Sequence, residues 1–408
     1  MPYRILTLFV SLVLLISSSI HAQDNTHLIV AWLENNNVMV WHTGDGAPTP
    51  HKATDIVAGN ARQLLIASDG QYVAVNVAIP GSLWLATPTD TDLVELVPNA
   101  ALPTTDDPKY IRIGNLQRGQ DSTFYFNTFN QPSHYTFQNN DLWSVDAASR
   151  TIKLLLPPSQ AGSFNLSPDS QHIAIIQSGT YGAVDGKIIL ADKEGQNSQE
   201  IMTFSAVSSG SDNDFVLPAF WQADNTGINV AIPNKDLIYN DNTATTPLWH
   251  ITIDGTKTQV GTVQATIFGL PQWSGDGQYL TYLRHQGDIS TNQFELMIAS
   301  GDGSNPTTYA SGTAGTMGVP QWLPNSDQFI YAQDEPGDYW LGQAGQAPQK
   351  LAGKLFSPLF VDATTYVFIN ESGELRYAHL GDPDSTLIAK VNNTSALFDA
   401  YLVTPASS

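Results

Sequence analysis

The chain has 408 residues with 17 basic and 38 acidic side chains, a formal net charge of −21. An anionic shell of that size repels nucleic acid and anionic lipid surfaces, which argues against both as partners. The absence of cysteine excludes disulfides and a lipoprotein anchor.

The N-terminus reads as a signal peptide over residues 1–22. Arg4 supplies the positive end, Ile5 to Ile16 the apolar stretch, and Ser17-Ser18-Ser19 with Ala22 a cleavage site before Gln23. The apolar run is shorter than the ~20 residues of a membrane-spanning helix. A secreted or periplasmic location is therefore expected. Removing this segment takes away one Arg and no acid, leaving a charge of −22.

Three strand-like runs follow: Leu28–Leu33, Val38–His42 and His51–Ile56. From Asp69 onward one phrase recurs about every fifty residues, clearest at Leu270-Pro271-Gln272-Trp273-Ser274-Gly275-Asp276-Gly277-Gln278-Tyr279-Leu280. Its turn positions fall at Asp69, Asp121, Asp169, Asp224, Asp276, Asn325 and Asp362. Each copy predicts a short inner strand, a turn whose Asp, Asn or Gly tolerates left-handed backbone, and an apolar second strand. A third strand carries an aromatic, as in Leu83-Trp84-Leu85, Asp141–Val145, Leu248–Ile251 and Tyr339–Leu341. A more polar fourth strand ends the unit, as in Leu93–Val97 and Thr151–Leu155.

A period of roughly 40–50 residues with four strands per unit is a β-propeller signature. Seven turns make seven blades. The runs at 28–57 lack an inner strand, and Ser395–Val403 reads as one strand near the C-terminus. Pairing these two pieces closes the ring and removes exposed sheet edges. The expectation is an all-β, eight-bladed propeller over residues 23–403, with seven blades as the alternative and 404–408 as a tail.

The repeat resembles that of the TolB-type and WD40-like propellers. The likeness rests on the W-S-x-D-G-x-x-[LIV] core at Trp273–Leu280, kept in part at Ser68–Val73 and Ser167–Ile173. It implies the fold over nearly the whole mature chain and leaves function open. TolB carries an α/β domain ahead of its propeller, and no such segment is expected here.

Catalytic signatures are lacking. The sequence has no G-x-S-x-G elbow, no H-E-x-x-H helix, no phosphate loop and no dinucleotide motif, so no cofactor and no metal are expected. Asp69, Asp169 and Asp276 read as turn formers rather than calcium ligands. Gln278 stands where a sialidase-type S-x-D-x-G box needs Gly.

The connections between second and third strands are long in consecutive blades, and they share a face with the connections between blades. They hold Phe129, His134, Tyr135 and Phe137, then Tyr181, then Tyr239 and Asp241, then His285. Aromatics on convergent loops suit contact with a partner. Phe129, His134, Tyr135, Tyr181, Tyr239, Asp241 and His285 are the candidate binding residues. They point to an exported, non-catalytic binding or scaffold propeller for a protein or envelope component. The alternative is an envelope carbohydrate-active enzyme with carboxylates such as Asp241, Asp288 or Asp334 at the channel mouth.

Overall fold

The computed structural model describes residues 26–102, 107–132, 137–208, 215–237, 244–267, 269–287, 292–313, 316–391, 394 and 396–403. The expected signal peptide and the tail 404–408 lie outside them. The described residues form eight antiparallel sheets, one per blade. Seven are continuous in sequence: blade 1 (61–97), blade 2 (111–156), blade 3 (163–204), blade 4 (219–263), blade 5 (272–313), blade 6 (321–350) and blade 7 (356–390). The eighth joins both ends of the fold. Phe398–Val403 is its inner strand, and His27–Glu34, Asn37–His42 and Thr49–Lys52 complete it. The registers His27↔Val403 through Trp32↔Phe398 make the closure antiparallel, as the unpaired strands at each end predicted. One expected strand differs: after Lys52 the chain turns into a short helix, Asp55–Asn60, capped by the Thr54 side chain. An N-cap threonine satisfies a helix N–H that a strand at this position would leave to solvent.

The core is divided between the blades. Its eight apolar clusters each fill one seam between neighbouring sheets. In the blade 2–3 seam, Tyr125 and Leu142 meet Phe164 and Ile175. In the blade 7–8 seam, Val367 and Ile369 meet Val30 and Trp32. Successive strand residues alternate between the two faces, so a near-continuous apolar strand feeds two seams at once. Side-chain amides from first and second strands reach main-chain carbonyls of the next blade across these seams. Asn76 Nδ2 donates to Ile113 O at 3.0 Å, Asn127 Nδ2 to Gly162 O at 3.2 Å and Asn165 Nδ2 to Ala219 O at 2.9 Å.

The outer edges share a device that the sequence pattern did not reveal. In blades 1, 2, 3, 4, 5 and 7 the register slips by one residue between the third and fourth strands. The extra fourth-strand residue is Leu96, Leu155, Ile201, Val260, Tyr309 or Ile388. All but Val260 pack into the seam with the following blade. A bulge both re-aims a side chain and twists an edge away from further pairing. In blade 3, Lys257 of blade 4 also caps the bulge carbonyl of Ile201 at 3.1 Å.

Closure is pinned by one buried charge. Asp399, on the C-terminal strand, accepts from the Ile66 N–H of blade 1 at 2.7 Å and from Arg118 Nη2 of blade 2 at 2.7 Å. Arg118 also donates to Ile66 O and lies over the Tyr401 ring, 3.9 Å from its centroid. Three blades thus hold one strand. Burial pushes the Asp399 carboxyl above its ordinary range, against the pull of Arg118 and two backbone N–H groups.

Removing one partner of a buried pair leaves the other charge uncompensated, at a cost of about 3–5 kcal/mol. Asp399→Ala is therefore expected to lower unfolding stability by about that amount, read by denaturant titration. Deleting residues 394–408 is expected to broaden the transition as well, because blade 8 loses its inner strand. A truncated chain that melts like the intact one would show that closure does not depend on this strand.

Candidate functional site

The two faces of the disc differ in construction. Each inner strand of blades 1–7 ends in a tight turn, so all seven turns share one face. The Asp side chain accepts the N–H two residues on: Gln71 at 2.9 Å from Asp69, Gln171 at 3.0 Å from Asp169 and Gln278 at 3.0 Å from Asp276. Gly70, Asp121, Ser170, Asn225, Gly277 and Asn325 carry the left-handed backbone. Neighbouring turns are also bonded to each other. Asp69 N donates to Asp121 O at 3.1 Å, and Asp169 N to Asn225 Oδ1 at 3.0 Å. These acids therefore act as turn formers, each accepting a backbone N–H through Oδ1.

The opposite face carries the second-to-third connections and the passages between blades. The candidate residues that can be placed all sit at this end of their blades, but in different ways. Phe129 lies within the strand Thr123–Asn130, half-buried, with its ring against Gly114, where a Cβ would come within 2.8 Å. Its strand runs further than the loop expected at 127–140, because 129–130 pair with the short strand Phe137–Gln138. His285 is likewise the last residue of a strand, Tyr279–His285, and packs on Phe294 with ring centroids 4.3 Å apart. Only Tyr181 stands on a loop and in the open, 47% exposed. Its hydroxyl donates to Asp236 on the corresponding loop of blade 4. His134, Tyr135, Tyr239 and Asp241 lie outside the described residues, as does Asp288. Asp334 occupies the loop of blade 6 with positive φ. The acid held there by cations is Asp338, between Lys350 at 2.8 Å and Lys354 at 2.9 Å, which draw its carboxyl below the usual range.

Beside the Tyr181–Asp236 contact a cleft of about 510 Å³ opens between blades 3 and 4. Met202 and Phe204 from the outer strand of blade 3 face Pro233, Pro247 and Trp249 of blade 4, with Lys235 at the rim. The loop face also exposes aliphatic side chains. Ile79, Val184, Val216 and Val319 are exposed there, together with Tyr181. These make five of the nine large exposed hydrophobics among the described residues. Leu154, Val260 and Leu387 lie on outer strands, and Ile253 is at the turn face. The sequence signal was present in aliphatic residues set next to turn formers, as in Ile79-Pro80-Gly81 and Gly318-Val319-Pro320. Among the described residues no three His, Asp or Glu converge to hold a metal. Nor is any described helix long and apolar enough to cross a membrane.

No protein-family model matches the chain, and no curated relative does. Solved structures resemble it in fold. An oligogalacturonate lyase in complex with manganese aligns with TM-score 0.50 and 11% identity over 82% of this chain and 86% of that one. The dipeptidyl peptidase 4 of Porphyromonas gingivalis aligns with TM-score 0.51 and 13% identity over 80% of this chain and 53% of its own. Prolyl oligopeptidase B from Galerina marginata gives 0.51 and 11% over 86% and 52%. The chain thus spans about half the length of these peptidases. At such identities the likeness concerns the propeller fold alone.

If Asp276 is a turn former, Asp276→Ala loses its bonds to Gln278 N–H and Ser274 Oγ. The expected cost is about 1–2 kcal/mol, measured by chemical denaturation, with no change in calcium-dependent stability. A calcium-dependent shift present in the parent and lost in the variant would reassign this acid as a ligand.

Proposed function

We propose that this protein is an exported, non-catalytic binding propeller that docks a protein or envelope component on its long-loop face. The observation that carries this reading is the asymmetry of exposed apolar surface: Ile79, Tyr181, Val184, Val216 and Val319 share that face, against Ile253 on the other. Exposed aliphatics cost solvation free energy unless something covers them, and their concentration on one side marks an interaction surface. The cleft beside Trp249 supplies the concave part of such a surface, where a fully desolvated aromatic anchors a partner best. The tight, mutually bonded turns offer no comparable relief on the other face. The W-S-x-D-G phrase supports grouping these blades with TolB-type repeats, and the apolar N-terminus supports export. Partner contact through loops on a rigid ring requires no catalytic group, which suits the missing catalytic signatures.

Two charge insertions separate this reading from its alternatives. The mature protein, immobilised and exposed to envelope extract, is expected to lose its captured partner when Val184→Arg and Val319→Arg are combined. Ile253→Arg on the turn face is expected to leave capture unchanged. All three positions are exposed, so melting temperatures should barely move. Loss of capture by Ile253→Arg alone would place the interface on the wrong face.

A further inference from the structure

Among the described residues, Ile253 is the one large hydrophobic exposed on the turn face, and it borders a pocket of about 230 Å³. The pocket is the turn-face end of the seam between blades 3 and 4. His172, Asp192, Asn197 and Gln199 line it from blade 3, Trp221 and Ile253 from blade 4. Strand alternation brings these side chains together. In the apolar cluster of this seam Ala174 and Leu190 face blade 4, while Ala219 and Ile251 face blade 3. Two residues nearer the turn face come His172, Asp192, Trp221 and Ile253, on the same sides of their sheets. His172 is the cross-strand neighbour of Asp192, and Leu190 of Gln199. Gln199 reaches across the seam, since a Cβ at Gly255 of blade 4 would lie 3.5 Å from its Nε2 and 3.6 Å from its Oε1.

The walls of the pocket are of two kinds. Trp221, Leu190 and Ile253 make the apolar one. The Trp221 ring is fixed by its Nε1, which donates to Asn165 O of blade 3 at 2.9 Å, and its centroid lies 6.3 Å from that of His172. The other wall mixes donors and acceptors. Asp192 is oriented by the turn it opens: its Oδ1 accepts from Glu194 N at 3.1 Å and Gln196 N at 2.7 Å, and its Oδ2 from Asn197 Nδ2 at 2.8 Å. Oδ2 keeps one lone pair for a further donor. The exposed Asn197 and Gln199 add amide oxygens that accept, and the Gln199 NH₂ donates.

This chemistry narrows the ligand. The lining holds one acid and neither Lys nor Arg, so an anion finds no counter-charge. A single carboxylate that already accepts three N–H groups is a poor seat for a cation. The volume lies below the ~300–1,000 Å³ of sites for drug-sized molecules and suits one ring. A pyranose presents C–H groups on its ring face and hydroxyls at its edge, each hydroxyl both donor and acceptor, which matches an aromatic and aliphatic wall opposite amides and a carboxylate. We infer that the blade 3–4 pocket of the turn face binds a neutral pyranose ring, free or as one unit of a glycan. Glycosidic cleavage uses two carboxylates about 5–10 Å apart, and this lining supplies Asp192 alone, so the site binds without cutting. It goes beyond docking on the loop face and stands independently of it.

The test is saturation-transfer NMR on the full mature protein. The probes are the methyl glycosides of glucose, galactose, mannose and N-acetylglucosamine, with N-acetyl-leucinamide and methyl galacturonate as neutral-amide and anionic controls. At least one neutral glycoside is expected to receive saturation, most strongly at the ring C–H protons, and to exceed both controls. Gln199→Leu removes the amide and keeps the bulk, and is expected to weaken binding about tenfold. Ile253→Arg places a long side chain at the mouth and is expected to abolish the signal. Both positions are exposed, so melting temperatures should hold. Capture of a loop-face partner is expected to survive Ile253→Arg, which keeps a failure here distinct from a failure of that docking face. The hexasaccharide built from the bound ring separates the two sources: a gain of about tenfold or more over the monosaccharide marks a glycan, and equal affinity a free sugar. Absence of transfer to all four neutral glycosides would overturn the site. Transfer unchanged in both variants would place the sugar elsewhere and overturn it too. A stronger signal from the leucinamide or the galacturonate would overturn the ligand class.

Discussion

Every blade here has two apolar faces, and neither can be covered from within the blade. A four-stranded sheet whose second strand reads Val73-Ala74-Val75-Asn76-Val77, buried along its whole length, must be sandwiched. Eight such sheets satisfy one another only as a ring, and the eight clusters confirm that the core is made of seams. A ring has one seam that chain connectivity does not supply. Here strands from the two ends of the fold supply it, pairing from Trp32↔Phe398 to His27↔Val403. The Asp399–Arg118–Ile66 latch sits at this junction, where a sheet held by noncovalent bonds alone needs reinforcement.

The same geometry accounts for the difference between the faces. Inner turns crowd around the channel, so they are short and bonded to one another. Second-to-third connections and blade crossings lie further out, where extra length costs little closure entropy. Variation, apolar exposure and clefts therefore collect on one side. Tyr181 and Asp236 show loops of successive blades reaching each other there. Phe129 and His285 show the opposite tendency, with rings folded back onto their own sheets.

The charge distribution follows a related logic. Acids outnumber bases by more than two to one, so most described arginines find carboxylates, and Asp338 holds two lysines. Lys235 lines the cleft beside Trp249, on the loop face.

Local patterning determined a great deal. An Asp or Asn opening each turn, with a positive-φ residue in six of the seven, placed all the inner turns at intervals of 37 to 55 residues, because turn chemistry is local. The lone strand near the C-terminus and the incomplete blade near the N-terminus required each other, so eight blades and their closure were legible. The strand ends at Asn130 and His285 were not, because pairing with Phe137–Gln138 and Gln293–Ser300 extends each hairpin beyond its propensity. Six outer-strand bulges were equally invisible, since a one-residue slip leaves composition unchanged. Nor could the sequence show that Arg118 crosses blade 1 to meet Asp399, 281 residues away. Strands and turns follow from neighbours along the chain. Which charges pair, and which faces stay uncovered, depends on neighbours in space, and those exist only once the ring has closed.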